Sequence, residues 1–151
     1  MAETPSRPLE CIILVGIPAA GKSTFTRDRY PHYQCISKDL FPPHARDKQA
    51  RQDAALRAAL AAGRSVIVDN TNVMPQDRAA IIGVAREFGA RVVGYYLEIS
   101  TRQAVARNEM RTGRAKVPKV AIFTAVKRLS VPSLDEGFDE LHVVPAPAAG
   151  A

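Results

Sequence analysis

Gly16-Ile17-Pro18-Ala19-Ala20-Gly21-Lys22-Ser23-Thr24 decides the reading of this chain. The run fits the phosphate-binding pattern G-x-x-x-x-G-K-S/T in full. An apolar stretch, Cys11-Ile12-Ile13-Leu14-Val15, precedes it and reads as a buried parallel strand. Ser23 to Arg29 can open a helix. In a strand–loop–helix setting the loop N–H groups form an anion nest, and the helix N-terminus adds its positive dipole end. Gly16, Pro18, Ala19, Ala20, Gly21 and Thr24 then belong to a nucleotide cradle. Lys22 supplies a cation for the outer phosphates, and Ser23 offers its hydroxyl to Mg²⁺.

Outward from the loop, strands and helices alternate. Strands are expected at Leu9–Val15, Gln34–Ile36, Ser65–Val68, Arg91–Ile99 and Leu141–Val144. Helices are expected at Ser23–Arg29, Asp47–Ala62, from Pro75 to Gly89, Thr101–Arg111 and Pro118–Ser130. This alternation predicts an α/β fold with a central parallel sheet of about five strands, covered by helices on both faces. The chain has 151 residues, the size of a single domain over 1–151. The ends, 1–8 and 145–151, are polar or Pro/Ala/Gly-rich and are expected to be loose.

Composition narrows the class. With 46% hydrophobic and 24% charged residues, the balance is that of a globular protein, and no apolar run is long enough for a membrane span. Cys11 and Cys35 are the only cysteines, too few for a disulfide framework, and no Cys/His cluster suggests zinc. Reduced cysteines and a polar N-terminus lead to a cytoplasmic expectation. The net charge of +6 suits polyanionic partners. Much of it lies late, in Arg102, Arg107, Arg111, Arg114, Lys116, Lys119, Lys127 and Arg128, with Glu109 the one acid among them.

In parallel sheets ligands bind beyond the carboxyl ends of the strands. There the sequence puts the phosphate loop, Ser37-Lys38-Asp39 and Asp69-Asn70-Thr71-Asn72. A water-positioning Glu after the metal-side Asp would suit an ATPase, but Asn70 follows Asp69. A kinase needs a base for an acceptor hydroxyl, and Asp39 is the best candidate, although Ser37 and Asp39 would also suit a turn cap. Asp69 can hold a Mg²⁺-bound water or orient its neighbours. Lys38, Thr71 and Asn72 are candidate acceptor contacts, the latter two alternatively edge braces. Arg78 can meet an acceptor phosphate or sit in solvent. Arg107 and Arg111, four apart, share a helix face, and Gly113 breaks that helix. On a closing lid they would stabilise phosphoryl-transfer charge, and Arg107 could stack on adenine.

These blocks, with Arg107-Asn108 through Arg111 and Val131-Pro132-Ser133-Leu134-Asp135-Glu136-Gly137-Phe138, span nearly the whole chain. The sequence resembles the kinase domain of the polynucleotide 5′-hydroxyl kinases, within the P-loop kinase superfamily. The resemblance implies a three-layer fold with a helical lid, ATP as donor and Mg²⁺ as cofactor. It implies Asp39 as general base, Lys22 and Arg111 on the γ-phosphate, Arg107 near the nucleotide, Ser23 on Mg²⁺, and Asp69, Thr71 and Asn72 on the acceptor side. Residues 132–138 would brace the region near the nucleotide pocket. The acceptor would be the 5′-OH end of a nucleic acid, with a separate ligase or phosphatase as possible partner, and the chain a monomer or small homo-oligomer. Leu40-Phe41-Pro42-Pro43 departs from members that carry further charged residues after the Asp. No DxDxT-type phosphatase motif occurs, so no 3′-phosphatase activity is expected. The rival expectations are a P-loop kinase of a small hydroxylated molecule or nucleoside, and a nucleotide-binding module that transfers nothing.

Overall fold

The structure is a computed structural model, and it describes residues 8–146. Among the described residues there are five strands: β1 (Glu10–Val15), β2 (Gln34–Ile36), β3 (Val66–Val68), β4 (Arg91–Glu98) and β5 (Glu140–Pro145). Five helices separate them: α1 (Lys22–Arg29), α2 (Lys48–Ala61), α3 (Pro75–Glu87), α4 (Thr101–Glu109) and α5 (Lys119–Arg128). One-turn 3-10 segments occupy Lys38–Leu40, Gly113–Ala115 and Leu134–Glu136. Every strand pair is parallel, in the order β2-β3-β1-β4-β5.

β1 is central because it is apolar on both faces, and alternate residues feed two layers. Cys11, Ile13 and Val15 face α2 and α3 through Leu56, Leu60, Ile81 and Ala85. Ile12 and Leu14 face the opposite layer, where Phe25 of α1 packs with Tyr95 and Leu97. A third cluster joins α4 and α5 to the phosphate loop, with Ile17 and Ala19 against Ala104, Ile122 and Ala125. Arg107 lies on α4 of this pair, and Arg111 follows it in the chain. α4 starts on a capping box between Ser100 and Gln103 and stops at Glu109, short of the expected Arg111, because the chain turns at Met110.

Residues 1–7 and 147–151 of the expected loose ends lie outside the described residues. Pro145 closes β5, and the Ala146 N–H donates to the Glu98 carbonyl at 2.8 Å. Among the described residues no helix is long and apolar enough to cross a membrane.

Candidate active site

The run 16–24 turns sharply between β1 and α1. Ala19 and Gly21 adopt left-handed backbone, at φ 70° and 96°. Gly21 does so without strain, and it is the residue from which α1 departs. A Cβ on Gly16 would sit 3.2 Å from the Leu97 carbonyl oxygen, so the loop hugs β4 there. The Gly16 N–H donates to the Thr71 carbonyl at 2.9 Å and ties the loop to the segment after β3. Lys22 Nζ folds back and donates to the Gly16 and Ile17 carbonyls, each at 2.9 Å.

Five charged side chains, Lys22, Asp39, Asp69, Arg107 and Arg111, act on one another here. Burial pulls the Lys22 ammonium down to about 8; Arg111 adds to the fall, while Asp69 and Asp39 oppose it. Burial pushes the Asp69 carboxyl above its ordinary value, against the pull of Lys22 and of the Ser23 hydroxyl, and Asp39 adds to the rise. Burial and then Arg107 lower Arg111. Ser23 Oγ lies 3.3 Å from Asp69 Oδ2 as a long hydrogen-bond donor. Among the described residues no group of three or more His, Cys, Asp or Glu gathers to hold a metal. Two oxygen donors beside a phosphate cradle nonetheless suit Mg²⁺, which keeps its waters and takes phosphate oxygens.

Two clefts flank the loop. One, about 280 Å³, is bounded by Ala20, Gly21, Thr24, Arg29, Arg107 and Val144–Ala146. Arg107 stands over the loop here, its guanidinium nitrogens 3.6 and 3.8 Å from where a Cβ on Gly21 would be. The other, about 360 Å³, is bounded by Pro18, Thr71, Val73, Val120, Thr124 and Arg128. Pro18, Ala20, Gly21, Thr24, Thr71 and Arg107 of the expected residues therefore border open space.

Asp39 is exposed, in the 3-10 turn after β2. Ser37 does cap that turn, its Oγ accepting from the Asp39 N–H at 3.2 Å. The cap fixes the backbone and leaves the carboxylate facing out. Lys38 is anchored by its N–H, which donates to Asn70 Oδ1 at 2.9 Å.

Arg78 corrects the expectation of an acceptor contact or a solvated side chain, and Asn72 takes the edge-brace alternative. Arg78 is fully buried. Its Nε and Nη2 donate to the two Glu136 carboxylate oxygens at 2.7 and 3.0 Å, and Nη1 donates to the Asn72 carbonyl at 2.9 Å. Asn72 is buried and left-handed at φ 47°, and its Nδ2 donates to the Leu14 carbonyl at 2.8 Å. Arg78 is closed off from any substrate, and the Asn72 amide nitrogen is taken up by β1. Both instead hold the segment after β3 against β1. The 132–138 block is the other half of this brace, so it sits behind that segment and does not border the nucleotide-side cleft. Glu136 pairs with Arg78, and Phe138 packs so tightly over Gly94 that an added Cβ would fall 2.6 Å from its ring. Glu136 belongs to the block expected to brace, whereas the structural contacts of Asn70, Asn108 and Arg114 were not read from the sequence. The Ser133-x-x-Glu136 spacing, a capping-box signature, was the one available signal.

The loop, the central parallel strand before it and the Ser23–Asp69 pair define a nucleotide-binding P-loop protein of kinase-type fold. The AAA domain family (AAA_33) matches residues 11–132, and the chain belongs to that family. It is 29% identical over 141 residues to the bifunctional polynucleotide phosphatase/kinase of Schizosaccharomyces pombe, across 90% of this chain and 33% of that protein. The chain thus spans about a third of the length of this curated relative. Among solved structures, a gluconokinase from Sinorhizobium meliloti 1021 superposes with a TM-score of 0.66 at 21% identity, over 93% of this chain and 85% of the other. A fungal RNA kinase gives 0.64 at 16% identity, over 91% and 76%. At these identities both likenesses speak for the fold alone.

Proposed function

We propose that this chain is an ATP-dependent kinase that phosphorylates the 5′-OH end of a polynucleotide. What supports this reading most is that Asp39, exposed in the turn after β2, follows a strand end that is bonded to Asp69, whose N–H donates to the Ile36 carbonyl at 2.8 Å, at the sheet edge of the phosphate loop. Lys22 and Arg111 neutralise the γ-phosphoryl group, Arg107 and Thr24 border the nucleotide side, and the helical pair α4–α5 serves as the lid. Asp39 takes the proton of the acceptor hydroxyl. The hydroxyl oxygen bonds to the γ-phosphorus, the bond from that phosphorus to the β–γ bridging oxygen breaks, and ADP leaves. Ser23 and Asp69 are the residues that would hold Mg²⁺, which supplies charge neutralisation at the phosphates. Thr71 borders the opposite cleft on the acceptor side.

Two features favour transfer to an alcohol over water. Asn70 replaces the acidic residue a hydrolase would use, and both ends of its amide are engaged, by Lys38 N–H and by Gln52. For a nucleic-acid acceptor, the support is the S. pombe relative and the basic side chains of the segments that carry Asp39 and Arg111. Lys38, Arg46, Arg111 and Arg114 have no ion-pair partner among the described residues. Incubation with γ-labelled ATP, Mg²⁺ and 5′-OH oligonucleotides should yield 5′-phosphorylated strands. Efficient labelling of gluconate or a nucleoside, with oligonucleotides untouched, would replace this reading with the small-molecule one. Binding of ATP without transfer to any of them would leave a nucleotide-binding module.

A further inference from the structure

The stretch 37–47 that carries Asp39 has one 3-10 turn as its regular structure. Hydrogen bonds within it are short-range, from Leu40 N–H to the Ser37 carbonyl and from Phe41 N–H to the Lys38 carbonyl. Such a segment does not by itself fix a carboxylate to the tolerance that proton transfer requires. Close to Asp39 its backbone is gripped from outside at two points, one on each side. Before it, Lys38 N–H donates to Asn70 Oδ1 at 2.9 Å, and Asn70 Nδ2 donates at 2.6 Å to Oε1 of Gln52, buried on α2. After it, Arg114 Nη2 donates at 3.1 Å to the Phe41 carbonyl.

The loop that delivers Arg114 is also held. Asn108, fully buried near the end of α4, donates from Nδ2 to the Val117 carbonyl at 2.7 Å and accepts from the Val117 N–H at 2.9 Å. Residues 109–116 therefore form a loop closed at its base. It carries Arg111, whose charge reaches Lys22, and Arg114, whose hydrogen bond reaches the segment of Asp39.

We propose that Asn70 and Arg114 are positioning residues that bracket Asp39. Asn70 fixes the base to the strand-end segment that also carries Asp69. Arg114 ties the base to the loop that brings Arg111 to the phosphates. The donor and acceptor halves of the site are thereby set against each other from across the cleft. The proposal rests on Asp39 as the base, but not on which alcohol is the acceptor.

The test is a double-mutant cycle read as transfer from ATP to a 5′-OH oligonucleotide, with amide hydrogen exchange in parallel. Arg114 is exposed, so Arg114→Ala folds normally. It should lower kcat about tenfold while leaving the KM for ATP within about twofold. Arg114→Lys, which keeps an N–H donor, should recover most of the loss. In an Asp39→Asn background Arg114→Ala should cost nothing further, because the group it positions is gone. An equal loss in both backgrounds overturns the bracket and leaves Asp39 as base. No effect of Asp39→Asn alone overturns the base assignment and the bracket together. Exchange at the Leu40 and Phe41 amides should quicken in both Arg114→Ala and Asn70→Ala. Unchanged exchange overturns the bracket even if no oligonucleotide is phosphorylated.

Discussion

Two polar clusters lie on either side of the segment after β3, and they are built on opposite plans. Behind it, Arg78, Glu136 and Asn72 are buried or nearly so, and their donors and acceptors meet each other or the backbone. In front, Lys22, Asp39, Asp69 and Arg111 influence one another's charge without closing on one another as ion pairs. A buried Arg–carboxylate pair that is fully satisfied holds a conformation. Charges that act on one another beside a phosphate loop, with Lys22 and Asp69 shifted by burial, are the kind of arrangement that suits chemistry. The difference separates a brace from a site, although both are made of the same residue types from neighbouring stretches of chain.

That contrast can be broken by asking which variants lose activity and which lose stability. Asp39→Asn should depress turnover by about 10²-fold or more with the melting temperature unmoved. An unchanged rate removes Asp39 as base. Glu136→Gln leaves the Arg78 guanidinium buried without its counter-charge and should destabilise the fold by about 3–5 kcal/mol, seen as a lower denaturation midpoint. At a temperature where this variant is still folded, transfer per folded molecule should stay within a few fold of the parent. Full stability in Glu136→Gln would show that the brace carries no load. Gly94→Ala should cost less, about 1–3 kcal/mol, because Phe138 and Leu141 must shift to admit the methyl group. A neutral Gly94→Ala would mean that β5 and its approach repack freely.

How much of this the sequence revealed follows from range. β1 was legible because a run buried on both faces is apolar throughout, and the phosphate loop because its chemistry is local. The element order followed from the periodicity of each segment. Element ends moved by a residue or two where fraying and capping decide them, as at Met110. Arg78 was misread because an arginine at that point in a helix looks the same whether it is solvated or buried. Its partner Glu136 lies 58 residues away. The Arg114–Phe41 tie spans 73 residues and ends on a backbone carbonyl, which no side-chain pattern encodes. Local motifs report what a loop can bind. The long-range pairs that hold the loop in place become visible when the chain is folded.

The smallest effect concerns pH, where the stability given by the brace and the phosphate affinity of the site should move in opposite directions. Burial pushes the Glu136 carboxyl up, but the Arg78 hydrogen bond, the Ser133 N–H and the Arg78 charge together hold it below its ordinary value. A carboxyl depressed in the folded state stabilises the fold above its unfolded pKa and loses that contribution as pH falls through the folded one. The brace therefore weakens in acid. Lys22 is lowered to about 8 from 10.5, so between these values the unfolded chain binds more protons and the contribution of Lys22 to stability rises with pH. Phosphate affinity moves the other way. Triphosphate favours the charged ammonium, so ATP binding should take up a proton above about pH 8 and weaken by at most about tenfold per pH unit there. Calorimetry in two buffers of different ionisation heat measures that uptake directly. Lys22→Arg, charged throughout the range, should abolish the proton uptake whatever it does to affinity. A parent protein whose ATP affinity is flat from pH 7 to well above 8 would mean that Lys22 stays charged in its fold, and that front and back clusters differ less than their geometry suggests.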